Sequence, residues 1–170
     1  MHNHFRMMAA YNAWANDRLY AAAAALSNVD YRADRGAFFK SVHGTFNHLL
    51  VTDRIWMRRF TEIGPQPIRL DEILFDDLAG LRPARDAEDR RIAAYVDTLQ
   101  ALDLDRVIRY TRASTPEPIE QRLAPALAHL FNHQTHHRGQ VHAVLTGLTG
   151  KAPELDLLFF QRTPAGRSFG

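Results

Sequence analysis

The chain has 170 residues, of which 46% are apolar, and a formal net charge of +2. A chain of this length and composition forms a globular protein, and we expect one domain over residues 1–170. It contains no cysteine, which excludes disulfides, thiolate metal sites and a cysteine nucleophile. Any metal ion must therefore bind through nitrogen and oxygen atoms.

The basic residues are scattered among acidic ones and form no stripe of the kind that binds nucleic acid. No stretch approaches the ~18 consecutive apolar residues that a membrane helix needs. The amino-terminal residues also lack the apolar segment of a signal peptide. We therefore expect a cytoplasmic protein that binds neither nucleic acid nor membranes.

Apolar residues at helical spacing predict two helices in the first part of the chain. Residues 4–26 form the first and end in an alanine run, and residues 36–62 form the second. Gly64 and the two nearby prolines stop the second helix. A weak helical turn is expected at 71–79.

The middle of the chain mixes helical and extended patterns. Residues 84–102 form a third helix with Asp86 as its capping residue. The β-branched residues of 106–112 favour a short strand, and 119–121 can pair with it across the STPEP loop in a small β-hairpin.

Two helices are predicted in the last part of the chain. The fourth long helix covers residues 122–147, and 153–162 form a short closing helix with Pro153 at its first position. The sequence therefore predicts an all-α fold, a four-helix bundle with a short C-terminal helix. Metal sites in such bundles are built in the core by side chains from facing helices.

Three histidines are the strongest functional signal in the chain. His133 and His137 are four residues apart, so both point to the same side of a helix. His48 lies in a different predicted helix. Two imidazoles from one helix and a third from a facing helix form a metal site with open positions for water or substrate.

The same helix face carries further polar residues. His129, His136 and Gln140 lie within about 60° of His133. A single buried histidine is more often a structural residue. Burying several imidazoles on one apolar face costs free energy unless each has a hydrogen-bond partner or binds a metal ion. We predict a metal at this face, with His136 or Gln140 assisting catalysis by proton transfer or orientation.

Small side chains flank His48 on its own helix. Ser41, Gly44 and Thr52 lie one or two turns away, which predicts room for an ion and a ligand, although close helix packing at Gly44 is an alternative. His43 points about 140° away from His48. We therefore interpret His43 as a structural or surface residue.

The spacing of His133 and His137 matches the metalloprotease pattern H-E-x-x-H, but Gln134 replaces the glutamate base. This difference argues against a protease. Arg138 points away from the metal and is expected to form an ion pair behind the site. A close helix contact is expected to explain Gly139, which otherwise destabilises a helix by about 1 kcal/mol.

Three segments together resemble a known family. HLFNHQTHHRGQVHAVL at 129–145 contains the H-x-x-x-H-R-G-Q pattern of the DinB/YfiT-like metalloenzyme family. The segment at 38–60 resembles the part that gives this family its first histidine, and 11–20 resembles its opening helix. The resemblance extends from about residue 5 to about residue 162.

The resemblance implies a four-helix bundle with a divalent ion, typically nickel or zinc, bound to three histidines. By motif these are His48, His133 and His137. Known activities in the family include thiol S-transferases that use low-molecular-weight thiols and a maleylpyruvate isomerase. The family name is shared with an unrelated DNA polymerase and implies no polymerase activity.

Three functions remain open at this point. The first is thiol transfer to a small-molecule electrophile with a thiol cosubstrate, and the second is hydrolysis by a metal-activated water. The third is a metal-binding stress-response protein without turnover. Because each ligand must be a neutral imidazole, we expect metal affinity to fall as the pH drops through about 6.5.

A homodimer is also expected. The resemblance implies one, and the chain has more large aromatic residues than a small bundle needs inside it. Aromatic residues are enriched at interface cores. The candidates are Tyr11, Trp14, Trp56, Phe159 and Phe160.

Overall fold

The computed structural model describes residues 1–111, 115 and 117–170. In these residues it has six α-helices and one two-stranded antiparallel sheet, which confirms the predicted mostly helical fold with a small hairpin. The helices are α1 (His2–Ala23), α2 (Asn28–Arg32), α3 (Val42–Thr61), α4 (Leu78–Thr98), α5 (Leu123–Thr149) and α6 (Leu157–Gln161). None of these helices combines the length and apolar character that crossing a membrane requires.

The four long helices form the bundle. α1 and α3 each pack against both α4 and α5. Helices α3 and α5 are therefore neighbours in the bundle. This arrangement brings the helix that carries His48 against the helix that carries His133 and His137.

Helix α3 begins at Val42 and not at residue 36 as predicted. The side chain of Ser41 accepts a hydrogen bond from the backbone N–H of Gly44 and caps the helix. The preceding residues form a tight turn in which Ala37 pairs with Lys40. Lys40 has a φ of 67°, a left-handed conformation that cannot continue a helix.

Gly44 and Gly139 have different roles from those expected. A Cβ atom at position 44 would collide with the backbone carbonyl oxygen of Phe39, so Gly44 lets the preceding turn fold back onto α3. At position 139 a Cβ would have no neighbour within 4 Å. The predicted close helix contact at Gly139 is therefore wrong.

Helix α4 begins at Leu78, earlier than the predicted residue 84. Asp77 caps it by accepting a hydrogen bond from Gly80 N–H, so Asp86 is not the capping residue. The predicted turn at 71–79 is irregular except at its end, where α4 starts. The predicted end at residue 102 is also too late, since Leu99 is extended and Ala101–Asp105 form a 3-10 helix.

The predicted hairpin is confirmed. Strand β1 (Val107–Thr111) pairs antiparallel with β2 (Pro118–Arg122), with Arg109 opposite Glu120. The end of the predicted strand at residue 112 and residues 114 and 116 of the predicted loop lie outside the described residues. Helix α6 is shorter than predicted, because Asp156 and not Pro153 precedes its first turn and caps it.

Among the described residues, two of the three apolar clusters in the core form layers along the bundle, and the third packs Tyr11 and Ala15 of α1 against Phe160 of α6. One layer surrounds Trp56 and Ile92, and the other surrounds Phe46 and Leu81. A polar layer lies between them on each long helix. Its members are buried side chains from all four helices: Asn12, Asn16, Asp53, Arg85, Asp89, Gln134 and Arg138.

Arg85 is at the centre of this polar layer. Its guanidinium lies 2.7 Å from Asp53 and 2.9 Å from Asp89. Asn12 Nδ2 donates to Asp89 at 2.9 Å, and Gln134 Nε2 donates to Asp53 at 2.5 Å. The ion pair of Arg85 with Asp53 joins α4 to α3, and charge-assisted hydrogen bonds to the two carboxylates add α1 and α5.

Candidate metal centre

Three histidines from α3 and α5 converge in the structure. A candidate ligand nitrogen on each of His48, His133 and His137 lies within 4.8 Å of the other two. The Nε2 atoms of His48 and His133 are 3.1 Å apart. Two nitrogens that bind one tetrahedral zinc ion are about 3.3 Å apart, so this pair already has nearly the spacing of bound ligands.

Two hydrogen bonds fix the orientation of the imidazoles. His48 Nδ1 donates to the carbonyl oxygen of Leu70 at 2.7 Å, and His137 Nδ1 donates to Gln140 Oε1 at 2.8 Å. With Nδ1 protonated, the Nε2 lone pair of each ring is available for a metal. Such partners of metal-binding histidines set the tautomer and increase the basicity of the ligand.

The three imidazoles are neutral at pH 7. Burial lowers the pKa of His48 to about 4, although the hydrogen bond to Leu70 opposes this shift. Burial and then the neighbouring imidazoles lower the pKa of His133 to about 3. Burial also lowers the pKa of His137. Neutral imidazole is the form that binds a metal ion.

This donor set fits a divalent ion. Three imidazole nitrogens without a carboxylate or thiolate suit zinc, nickel, copper or iron. All three histidines line an open cavity of about 320 Å³, so a bound ion would keep a position for a further ligand. Three protein ligands and an open position are typical of catalytic sites and not of structural ones.

The two predicted catalytic residues lie at the same cavity. His136 and Gln140 are both among its lining residues. Gln140 Oε1 accepts from His137, which leaves its Nε2–H to donate to His136 Nε2 at 3.3 Å. One amide therefore orders two imidazoles.

His129 shares the helix face but is not part of the three-histidine group. Its side chain is exposed. The centroid of its ring lies 5.1 Å from that of Trp56 and 5.8 Å from that of His133. His43 has the predicted structural role, since it is buried and its Nε2 lies 3.0 Å from the carbonyl oxygen of Phe75. Thr52 donates to the backbone oxygen of His48 and does not line the cavity.

Gln134 and Arg138 lie behind the site in the polar layer. Gln134 is fully buried and faces Asp53, so even a glutamate at this position would not reach the cavity. The ion pair predicted for Arg138 is wrong. Its guanidinium donates to the amide oxygens of Asn12 and Gln134 and to the hydroxyl of Thr135.

Sequence reasoning missed three residues that shape the site. The ring of Phe39 stacks on His48 with a centroid distance of 3.6 Å. Leu70 accepts the hydrogen bond of His48 through its backbone oxygen. Asn47 Oδ1 accepts hydrogen bonds from the backbone N–H groups of Leu74 and Phe75, which holds the loop between α3 and α4 against α3. The only local signal was Asn47, a polar residue next to His48 in an apolar helix.

The comparison with protein families agrees with this geometry. The model described as DinB family matches residues 1–166. The chain belongs to the DinB family. Members of this family bind divalent metals, as the three-histidine group leads one to expect. No curated protein and no solved structure shows significant similarity to the chain.

Removing one histidine of the group should abolish metal binding. His48→Ala, His133→Ala and His137→Ala are each expected to lower the affinity for Ni²⁺ or Zn²⁺ at least about 100-fold, because two imidazoles remain. The measurement is the metal content of untagged protein after dialysis. His142→Ala is the control, since this residue lies on the opposite side of α5. Full occupancy in any of the three variants would remove that residue from the site.

The pH dependence of metal binding should differ from that of ordinary histidines. Three imidazoles with a pKa of about 6.5 would lose about sixfold in affinity between pH 7.5 and pH 6.5. Because the pKa values of all three are lowered, protons compete only at lower pH. We expect less than about a twofold loss in this interval and a steep loss only below about pH 4. Competition titrations with a chromophoric chelator measure it, and a sixfold loss by pH 6.5 would contradict the expectation.

Proposed function

We propose that the protein is a metal-dependent thiol S-transferase that joins a low-molecular-weight thiol to a small-molecule electrophile. The observation that carries this proposal is the three-histidine group, whose nitrogens lie within 4.8 Å of one another beside an open cavity. Nickel and zinc are the ions that we expect it to use. We also propose the cytoplasm as its location, which cell fractionation tests.

A divalent ion at the three histidines would act as a Lewis acid that lowers the pKa of a thiol or of water in its open position. A thiol with a pKa of about 8.5 needs much less assistance than water with a pKa of about 15.7. Among the described residues, no carboxylate lines the cavity to serve as a general base. The site is therefore better suited to a thiol than to water.

The thiol must come from a cosubstrate, because the chain has no cysteine. In the transfer, the thiol loses its proton and the sulfur electron pair forms the new S–C bond. The bond between carbon and the leaving group breaks, and the leaving group departs with its electron pair.

The side chains at the cavity provide orientation and a route for the proton. Gln140 holds His137 in the tautomer whose Nε2 lone pair is available to a metal. His136 is exposed at the cavity and can accept the thiol proton at Nε2 in place of its 3.3 Å contact with Gln140. From there the proton can pass to water.

Turnover with and without thiol should identify the function. The nickel- or zinc-loaded protein is incubated with a panel of alkyl, aryl and epoxide electrophiles, with and without cysteine or glutathione. We expect thiol-dependent turnover that His133→Ala abolishes and His142→Ala preserves. Turnover without thiol would identify a hydrolase instead, and a metal-loaded protein without turnover would identify a metal-binding stress-response protein.

We propose in addition that the chain forms a homodimer. Three of the five aromatic residues expected at the interface are buried within the chain itself: Tyr11, Trp56 and Phe160. Trp14 and Phe159 are more accessible, with ring centroids 6.3 Å apart, and Leu158 beside them is exposed. These three residues form the surface that a second copy would cover.

Light scattering at low micromolar concentration tests the dimer. We expect a mass of about two chains of 19.4 kDa, and Leu158→Asp with Phe159→Asp should reduce it to one chain, because charged groups are disfavoured at the core of an interface. A mass of one chain for the unmodified protein contradicts the proposal.

A further inference from the structure

The cavity over the three histidines has one polar and one apolar side. His136 and Gln140 lie on the polar side, and Phe38, Phe39 and Leu70 form the apolar side. None of the described residues that line it carries a formal charge at pH 7 when the histidines are neutral. A bound divalent ion would therefore be the only formal charge in the cavity, and a charged substituent on the non-reacting part of a substrate would have no protein counter-charge there.

Two residues of the apolar side are exposed at the cavity opening. Phe38 is 80% exposed and Leu70 is 41% exposed. The ring of Phe38 packs edge-on against Phe39 at 4.9 Å, and Phe39 continues this surface inward to the ring of His48. A single exposed apolar residue is ordinary, but these two flank the same opening beside the candidate metal ligands.

The backbone holds both residues in place. Phe38 and Phe39 lie in the tight turn before α3, where Lys40 has a left-handed φ of 67°. Non-glycine residues keep such a conformation only when their surroundings determine it. On the other side, the carbonyl oxygen of Leu70 accepts the hydrogen bond of His48. The opening is therefore preformed, as is usual for small-molecule sites.

From this arrangement we propose that Phe38 and Leu70 determine substrate specificity and select an electrophile whose non-reacting part is apolar and uncharged, such as a phenyl or branched alkyl group. The apolar group lies between these two side chains while the reacting atom faces the three histidines. This inference rests on the proposed function, because it assigns the substrate class of the same site.

A pair of metal-binding probes tests this inference without turnover. Imidazole and 4-phenylimidazole are titrated into the Ni²⁺-loaded protein, and the visible absorption of the ion reports their binding. We expect 4-phenylimidazole to bind at least about tenfold more tightly, because its ring is buried between Phe38 and Leu70. Phe38→Ala and Leu70→Ala should each remove most of this preference and change imidazole affinity less than about twofold.

Leu102→Ala is the matched control, because Leu102 is 86% exposed and does not line the cavity. The Leu102→Ala variant should prefer 4-phenylimidazole over imidazole by the same factor as the unmodified protein. Equal affinity for the two probes, or a preference that survives both substitutions, would overturn the inference and leave the metal site intact. Failure of the protein to bind Ni²⁺ would overturn the proposed function and this inference with it.

A second copy of the chain could instead cover the opening. In that case Phe38→Ala would change the mass measured by light scattering and leave the probe preference unchanged. That result would also overturn the inference.

Discussion

The buried ionic interaction of Arg85 with Asp53 and Asp89 constrains the rest of the structure. The hydrophobic effect is non-directional, whereas buried charges are stable only when each has its partner in a specific geometry. Loss of one partner from such a pair typically costs about 3–5 kcal/mol, because the remaining charge is left unpaired. With Arg138, the layer contains two positive and two negative side chains. The amide side chains of the layer form hydrogen bonds with these charged groups, so the network includes all four long helices.

This polar layer also determines where the histidines point. On α5, Gln134 and Arg138 face the layer, and each directly follows a histidine of the metal centre. Neighbouring residues on a helix differ by about 100° in direction, so fixing positions 134 and 138 directs His133 and His137 toward the cavity. Asp53 fixes the rotation of α3 in the same way, and His48 is placed accordingly.

The parts of the site that depend on helix periodicity could be predicted from the sequence, and the parts that depend on loops could not. The spacing of His133 and His137 placed both on one face of α5 wherever the helix began. Phe39 was assigned to a helix because it fits an apolar repeat, but Ser41 caps that helix at its N-terminus, so it begins only at Val42. Leu70 contributes a backbone oxygen, which leaves no trace in the sequence. The role of Arg138 was misjudged because its partners are neutral groups, the nearby Gln134 and Thr135 on its own helix and Asn12 on α1, which is distant in sequence.

The turn before α3 connects metal binding with the shape of the cavity. Gly44 allows the carbonyl group of Phe39 to approach α3, and the ring of Phe39 then covers His48. That cover contributes to the burial that lowers the pKa of His48 and keeps its imidazole neutral. The same ring forms the inner apolar wall against which a substrate would lie. A larger residue at position 44 would displace Phe39. It would therefore disturb both the metal ligand His48 and the apolar wall of the cavity, so metal binding and substrate binding both depend on the glycine at this position.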